Sequence, residues 1–285
     1  MKESTALLVI LAEFVLGLYS RLIKSVPTTL STQVLARMIT YTFGSLISAQ
    51  TTNNHKINPS LTHLLTMGAL NTVHIGSSYY AFKTLPSATS LSLFYTYPFF
   101  NILFSTLFLH EKLHYAALPW LALSFIGALF VILPASDASA NHDPKGILSI
   151  FVSALSESLI YIAFRSKYEA NHNQGIFHLY GGGLLATLGA RLANVVEPFD
   201  YSVKTWTPLI LFNLFIGYLS SSTIFKAIPE IPVELFAALA FFGVLSGFIF
   251  GELGGEAKPE VPTYIGAAAI VLSAAAIRLL KIEKA

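Results

Sequence analysis

Glu13 and Glu157 each fall near the middle of a long apolar stretch, and each lies eight residues before an arginine, Arg21 or Arg165. A charged side chain at that depth in a bilayer costs roughly 2.5–3.5 kcal/mol, so each should face a bundle interior or water and have a partner. Such a pair can carry protons or contact a cation beside a pathway; alternatively, each carboxyl stays neutral and bonds a neighbouring helix. Arg37 is the one cation well inside an apolar stretch, and its planar fork suits a carboxylate or phosphate. It either receives an anionic solute group or neutralises Glu13. Asn71 and His74 are three apart and share a helix face. The imidazole can relay protons near neutral pH or serve as an interhelical hydrogen-bond partner. Tyr95, Tyr97, Pro98 and Asn101 follow, where the proline should kink the helix and free a carbonyl, as in the broken helices that line transporter cavities. Tyr97 suits plain aromatic packing equally well. Asn213, Tyr218 and Ser220 offer a comparable polar face, and Glu234 opens a later stretch. The candidate substrate-binding or ion-coupling set is Glu13, Arg37, Asn71, His74, Tyr95, Asn101, Glu157, Asn213 and Tyr218.

A different chemistry is spelled by His110-Glu111-Lys112-Leu113-His114, a literal H-E-x-x-H. On a helix it would set two imidazoles on one face for zinc, with the glutamate as base, making an intramembrane metalloprotease. Three features oppose this. The motif closes an apolar stretch at a helix break. The aspartates that could supply a third ligand, Asp137, Asp143 and Asp200, lie in loops, and the related Gly251-Glu252-Leu253-Gly254 keeps the acid without either histidine.

The elements that must hold these groups are set by composition. Of 285 residues 54% are hydrophobic and 11% charged, about half the charged share of a soluble domain, so the chain cannot make a polar coat. The formal charge of +2 is spread thinly, which leaves no footprint for nucleic acid. Absence of cysteine excludes disulfides, thiolate zinc sites and thiol catalysis. Apolar stretches near the length needed to cross a bilayer recur ten times, over residues 5–23, 30–47, 61–82, 87–109, 114–133, 146–164, 176–195, 206–225, 231–250 and 264–280. The first carries Glu13 and reads as a retained span rather than a cleavable signal.

The longest polar break divides the chain near its middle, and three features recur across it in order. Glu13 and Arg21 return as Glu157 and Arg165, offset by 144 residues. Phe82-Lys83-Thr84-Leu85-Pro86 returns as Phe225-Lys226-Ala227-Ile228-Pro229 at 143, and Glu111 returns as Glu252 at 141. Five crossings per copy is an odd number, so the second copy enters the membrane from the other side. The expected fold is all-α, ten transmembrane helices as two inverted five-helix repeats, residues 1–133 and 146–285, joined by a linker at 134–145. Lys and Arg slightly favour the side of both termini, partly through Arg278, Lys281 and Lys284, which mildly prefers cytoplasmic termini. No G-x-x-x-x-G-K-[ST] is present, so transport would draw on a gradient.

These residues resemble the EamA-type permeases of the drug/metabolite transporter superfamily. The likeness lies in the run from Leu85 through Pro98 to Phe100, then Leu109-His110-Glu111-Lys112-Leu113, then Gly127, and in Glu252 and Gly266 of the second half. Arg37 matches an arginine frequent in the family's second span, whereas the family proline is missing from the ninth stretch. The resemblance implies ten helices, cytoplasmic termini, alternating access and small polar metabolites such as amino acids or nucleotide sugars. Expected partners are a polar solute, the bilayer of a cell membrane or endomembrane and a second copy in a homodimer, with proton coupling left open. No cofactor, metal, nucleic acid or enzymatic activity is expected. A membrane scaffold that transports nothing is the remaining alternative.

Overall fold

The computed structural model describes residues 3–51, 57–85, 87–132, 143–253 and 260–280. Most of the expected linker over 134–145 lies outside these, as do Pro86, the Glu252 side chain, Gly254, Lys281 and Lys284. Among the described residues there are helices and no strands. In chain order they are α1 Glu3–Leu16, α2 Tyr19–Ser25, α3 Leu30–Thr51, α4 Leu61–Thr84, α5 Ser87–Phe94, α6 Tyr97–Leu109 and α7 Leu118–Ile132. They continue as α8 Pro144–Ser166, α9 His172–Leu192, α10 Val203–Phe212, α11 Leu219–Ala227, α12 Val233–Ala240, α13 Phe242–Leu253 and α14 Val261–Leu279.

Each apolar stretch is helical, and four of the stretches contain a break. Gly17 and Leu18 separate α1 from α2 one turn after Glu13. Tyr95 and Thr96 separate α5 from α6 just before Pro98, which cannot donate to the carbonyl of Phe94, so the expected kink is present. Phe241 separates α12 from α13 without a proline. Between α10 and α11 the chain widens into a π-helical turn over Asn213–Tyr218, where the Asn213 amide donates to the Leu209 carbonyl at 2.8 Å. Pro208 precedes it in α10 and removes another backbone donor.

By length and composition, four helical segments among the described residues can cross a membrane: Ser4–Ser25, Pro144–Ser166, Val203–Ala227 and Val261–Leu279. The remaining long helices α3, α4 and α9 are rich in Thr, Ser, Asn, His and Gly. These polar helices pack on each other and on α8, so their hydrophilic faces are turned inward. Outward, large apolar side chains such as Leu7, Leu11, Phe43, Ile47, Leu65, Phe108, Leu188 and Leu272 are exposed, while Glu13, Asn71, His74, Asn101, Asn213 and Glu234 are buried. That inverts the water-soluble pattern and fits a hydrocarbon solvent.

Close crossings are built on glycine. A Cβ at Gly182 would strike the Leu64 carbonyl and Gly68, and one at Gly68 would strike Gly182, so α4 and α9 touch backbone to backbone. Gly127 faces the Gly266 carbonyl in the same way between α7 and α14. With little hydrophobic drive between helices in lipid, such small-residue contacts supply the packing.

Candidate functional site

The breaks and the polar helices converge on one cavity of about 90 Å³, walled by α1, α2, α3, α4, α5, α6, α8, α9 and α11. Six of the nine candidate residues line it: Glu13, Arg37, Asn71, His74, Tyr95 and Glu157. The other three lie elsewhere. Asn213 accepts a hydrogen bond from the Tyr19 hydroxyl at 2.9 Å behind the wall. Tyr218 packs edge-on against Tyr41 with ring centroids 5.7 Å apart and fills the space above Gly44. Asn101 is fully buried, and neither amide atom has a hydrogen-bond partner among the described residues.

Arg37 enters from α3 into a box of four tyrosines that sequence reasoning passed over. Its guanidinium lies 4.6 Å from the Tyr19 ring centre, 4.9 Å from Tyr41 and 5.8 Å from both Tyr79 and Tyr180. It donates to the Tyr180 hydroxyl at 3.1 Å and weakly to Tyr79 at 3.5 Å, while Nε has no acceptor among the described residues. Ring faces stabilise a cation by roughly 0.5–2 kcal/mol each, so the charge is held without a counter-anion. Among the described residues no carboxylate reaches ion-pair distance of it, which sets aside neutralisation by Glu13. Tyr180 lies 143 residues after Arg37, the repeat offset, and that was the signal that could have found it.

The two carboxylates line the same cavity. Glu13 accepts hydrogen bonds from Tyr97 at 3.1 Å and Tyr95 at 3.4 Å, so Tyr97 is polar as well as packed. A Cβ at Gly243 would collide with the Tyr95 hydroxyl, and the glycine on α13 leaves that hydroxyl its place. Glu157 Oε2 stands 3.2 Å from His74 Nε2, and the opposite nitrogen, Nδ1, faces Ser153 through its carbonyl at 3.2 Å and its hydroxyl at 3.1 Å. Asn71 donates to the Leu179 carbonyl at 3.3 Å, joining α4 to α9 beside the cavity.

The H-E-x-x-H reading is corrected by the backbone. His110 is the left-handed cap of α6 with φ 55°, and residues 110–114 are not helical, so the imidazoles do not share a helix face. Glu111 forms an ion pair with Arg165, whose guanidinium also donates to the Ile228 carbonyl at 2.6 Å and the Ile231 carbonyl at 2.7 Å. His114 is taken by Glu234, through its backbone N–H at 3.0 Å and Nδ1 at 3.3 Å. No group of three metal-ligating side chains exists among the described residues. Arg21, which follows Glu13 by eight residues as Arg165 follows Glu157, donates to the Phe250 carbonyl at 2.9 Å near the end of α13.

A wider groove of about 1100 Å³ runs along α3, α4 and α9, with Lys24, Lys83 and Glu197 among threonines, a serine, a tyrosine and apolar residues. The smaller cavity is the better candidate for chemistry, because both central glutamates, the histidine and the unpaired guanidinium face it.

Residues 3–133 match the EamA-like transporter family. Over 284 residues the chain is 24% identical to the pseudopaline exporter CntI of Pseudomonas aeruginosa, covering 98% of this chain and 97% of the relative. It is 26% identical over 200 residues to a riboflavin transporter of Brucella anthropi, covering 67% of each. A solved crystal structure at 17% identity has the same fold, with a TM-score of 0.77 over 97% of this chain and 96% of the other. The resemblance to EamA-type permeases therefore holds, and with the apolar helices it makes the chain a multi-pass integral membrane protein of transporter type.

Proposed function

We propose that this transporter is a secondary carrier that moves a small polar metabolite through the central cavity by alternating access, with ten crossings arranged as two inverted repeats. The observation that carries the reading is the unpaired Arg37 guanidinium set in one cavity with Glu13, Glu157 and His74. A scaffold would gain nothing from maintaining these buried charges, each of which weakens the bundle. Packing partners support the repeat. The contacts α4–α8 and α11–α1 correspond under it, as do α6–α8 with α13–α1 and α5–α7 with α12–α14, while α3–α9 and α7–α14 pair each helix with its own counterpart. Arg37 and Tyr180 would then be equivalent positions that touch, which happens only beside a two-fold axis. At about 90 Å³ the cavity holds roughly three waters, so a solute must enter through an opening of one side.

The test is uptake by protein reconstituted in vesicles, with solutes first chosen by thermal shift from a library of amino acids, nucleotide sugars and sugar phosphates. Counterflow of at least one hit, lost in Glu157→Gln with the protein still folded, is expected. Absence of flux with every hit would leave the scaffold alternative standing.

A further inference from the structure

The charges of the cavity specify the solute more narrowly than a polar metabolite, and this step rests on the carrier reading above. We propose that the solute is amphoteric, placing a carboxylate on Arg37 and a protonated amine on Glu157, where the amine takes the place of one proton.

The anion end follows from donor counting. A guanidinium offers five N–H donors in a planar fork, and here phenol oxygens engage two of them while Nε has none. The tyrosine faces supply attraction to the cation but no lone pair in the plane of the fork. A planar carboxylate fills that plane with two parallel bonds.

The cation end follows from proton counting. The Ser153 carbonyl can only accept, so the 3.2 Å contact makes His74 Nδ1 a donor. The Ser153 hydroxyl donates to the His74 carbonyl at 3.2 Å and is thereby left as an acceptor toward Nδ1, in agreement. With Nδ1 protonated, the contact from Nε2 to Glu157 Oε2 needs one proton between the two atoms, whichever atom holds it. That proton offsets the charge of the Glu157 carboxylate, and an ammonium on Glu157 can replace it while the proton leaves through the imidazole. The titratable and charged groups that share the cavity with the pair are Glu13 from α1, Tyr19 from α2, Arg37 from α3, Tyr97 from α6 and Tyr180 from α9, together with Tyr95 beside the break. Arg37 is the one fixed cation among them, so a purely anionic solute such as a sugar phosphate would meet two carboxylates with one guanidinium to offset them.

Three matched probe sets test this on the purified full chain: the proteinogenic α-amino acids, their carboxamides, which keep the amine alone, and their deaminated acids, which keep the carboxylate alone. Binding is read by thermal shift and by proton release into weakly buffered detergent solution. Binding confined to amino acids is expected, with release of about one proton per solute. Arg37→Lys and Glu157→Gln should each weaken it about tenfold or more, the first because an ammonium cannot form the paired bonds of the fork. Equal binding of a deaminated acid or a carboxamide overturns the proposal, and so does binding without proton release or no binding in any set. Flux of a neutral or purely anionic solute would overturn it and leave the carrier reading intact. Amino-acid binding with no flux in vesicles would do the reverse.

Discussion

Glu111→Ala should destabilise the bundle by about 3 kcal/mol, because of what it leaves behind. The Arg165 side chain is 2% exposed and Glu111 16%, so the pair is desolvated, and removing one member of such a pair costs about 3–5 kcal/mol. The estimate sits at the lower end because two carbonyls, of Ile228 and Ile231, would still accept from the guanidinium. Glu111→Gln keeps an acceptor and loses the charge, so it should cost about half as much, the difference between a charge-assisted and a neutral hydrogen bond. Arg165→Met with Glu111→Leu removes both charges, and the double variant should be more stable than Glu111→Ala, since a buried pair exchanged for apolar groups is often neutral. Titration with denaturing detergent in mixed micelles, followed by the fluorescence of Trp120 and Trp206, measures each variant. A loss under about 1 kcal/mol for Glu111→Ala, or a double variant no better than that single one, would refute a stabilising role for the Glu111–Arg165 pair.

His110→Gly tests the same motif from the other side. A residue with side chain in the left-handed region costs about 1 kcal/mol relative to glycine, so the variant should be as stable as the parent or slightly more so, with flux retained; a zinc role predicts loss of function. Gly76→Ala and Gly182→Ala should diverge sharply in the same unfolding titration. A Cβ at Gly76 meets nothing within 4 Å and gains up to about 1 kcal/mol of helix propensity, while a Cβ at Gly182 forces α4 and α9 apart. Similar stability of the two would show that the glycine crossing is not the contact that holds these helices.

Apolar runs marked where the helices are, because immersion in lipid demands both apolarity and satisfied backbone in the same segment. They marked the ends less well. The stretch placed at 176–195 is a helix from His172 to Leu192, because Asn171 caps it, accepting from Gln174 N–H at 3.0 Å, five residues before the apolar run begins. Apolarity reports burial in hydrocarbon, and a cap is chosen for the backbone. Glu13, Arg37, His74 and Glu157 were legible because ionisable groups are expensive there and stand out. The tyrosine box was not, since Tyr19, Tyr41, Tyr79 and Tyr180 look like ordinary packing until three-dimensional structure sets them around one cation. Asn101 was overvalued for the opposite reason: polarity in an apolar helix shows that a group needs an environment, not that it faces the cavity.

Under the proposed duplication, the chemistry sits where the halves have diverged. Glu13 and Glu157 would be the retained pair, yet one is held by two phenols and the other by an imidazole. Arg37 would have become Tyr180, and the position of His74 would be Gly217, where a Cβ would collide with the Tyr19 and Tyr41 hydroxyls. A strictly symmetric cavity with an arginine and a histidine from each half would present paired charges on both sides of the axis and no polarity along it. Substituting tyrosine and glycine at the second copies would leave one guanidinium and one proton-holding pair, with no equivalent of either across the axis. The duplicated frame would then supply two equivalent ways to open, and the divergence of these positions would give the solute a head and a tail.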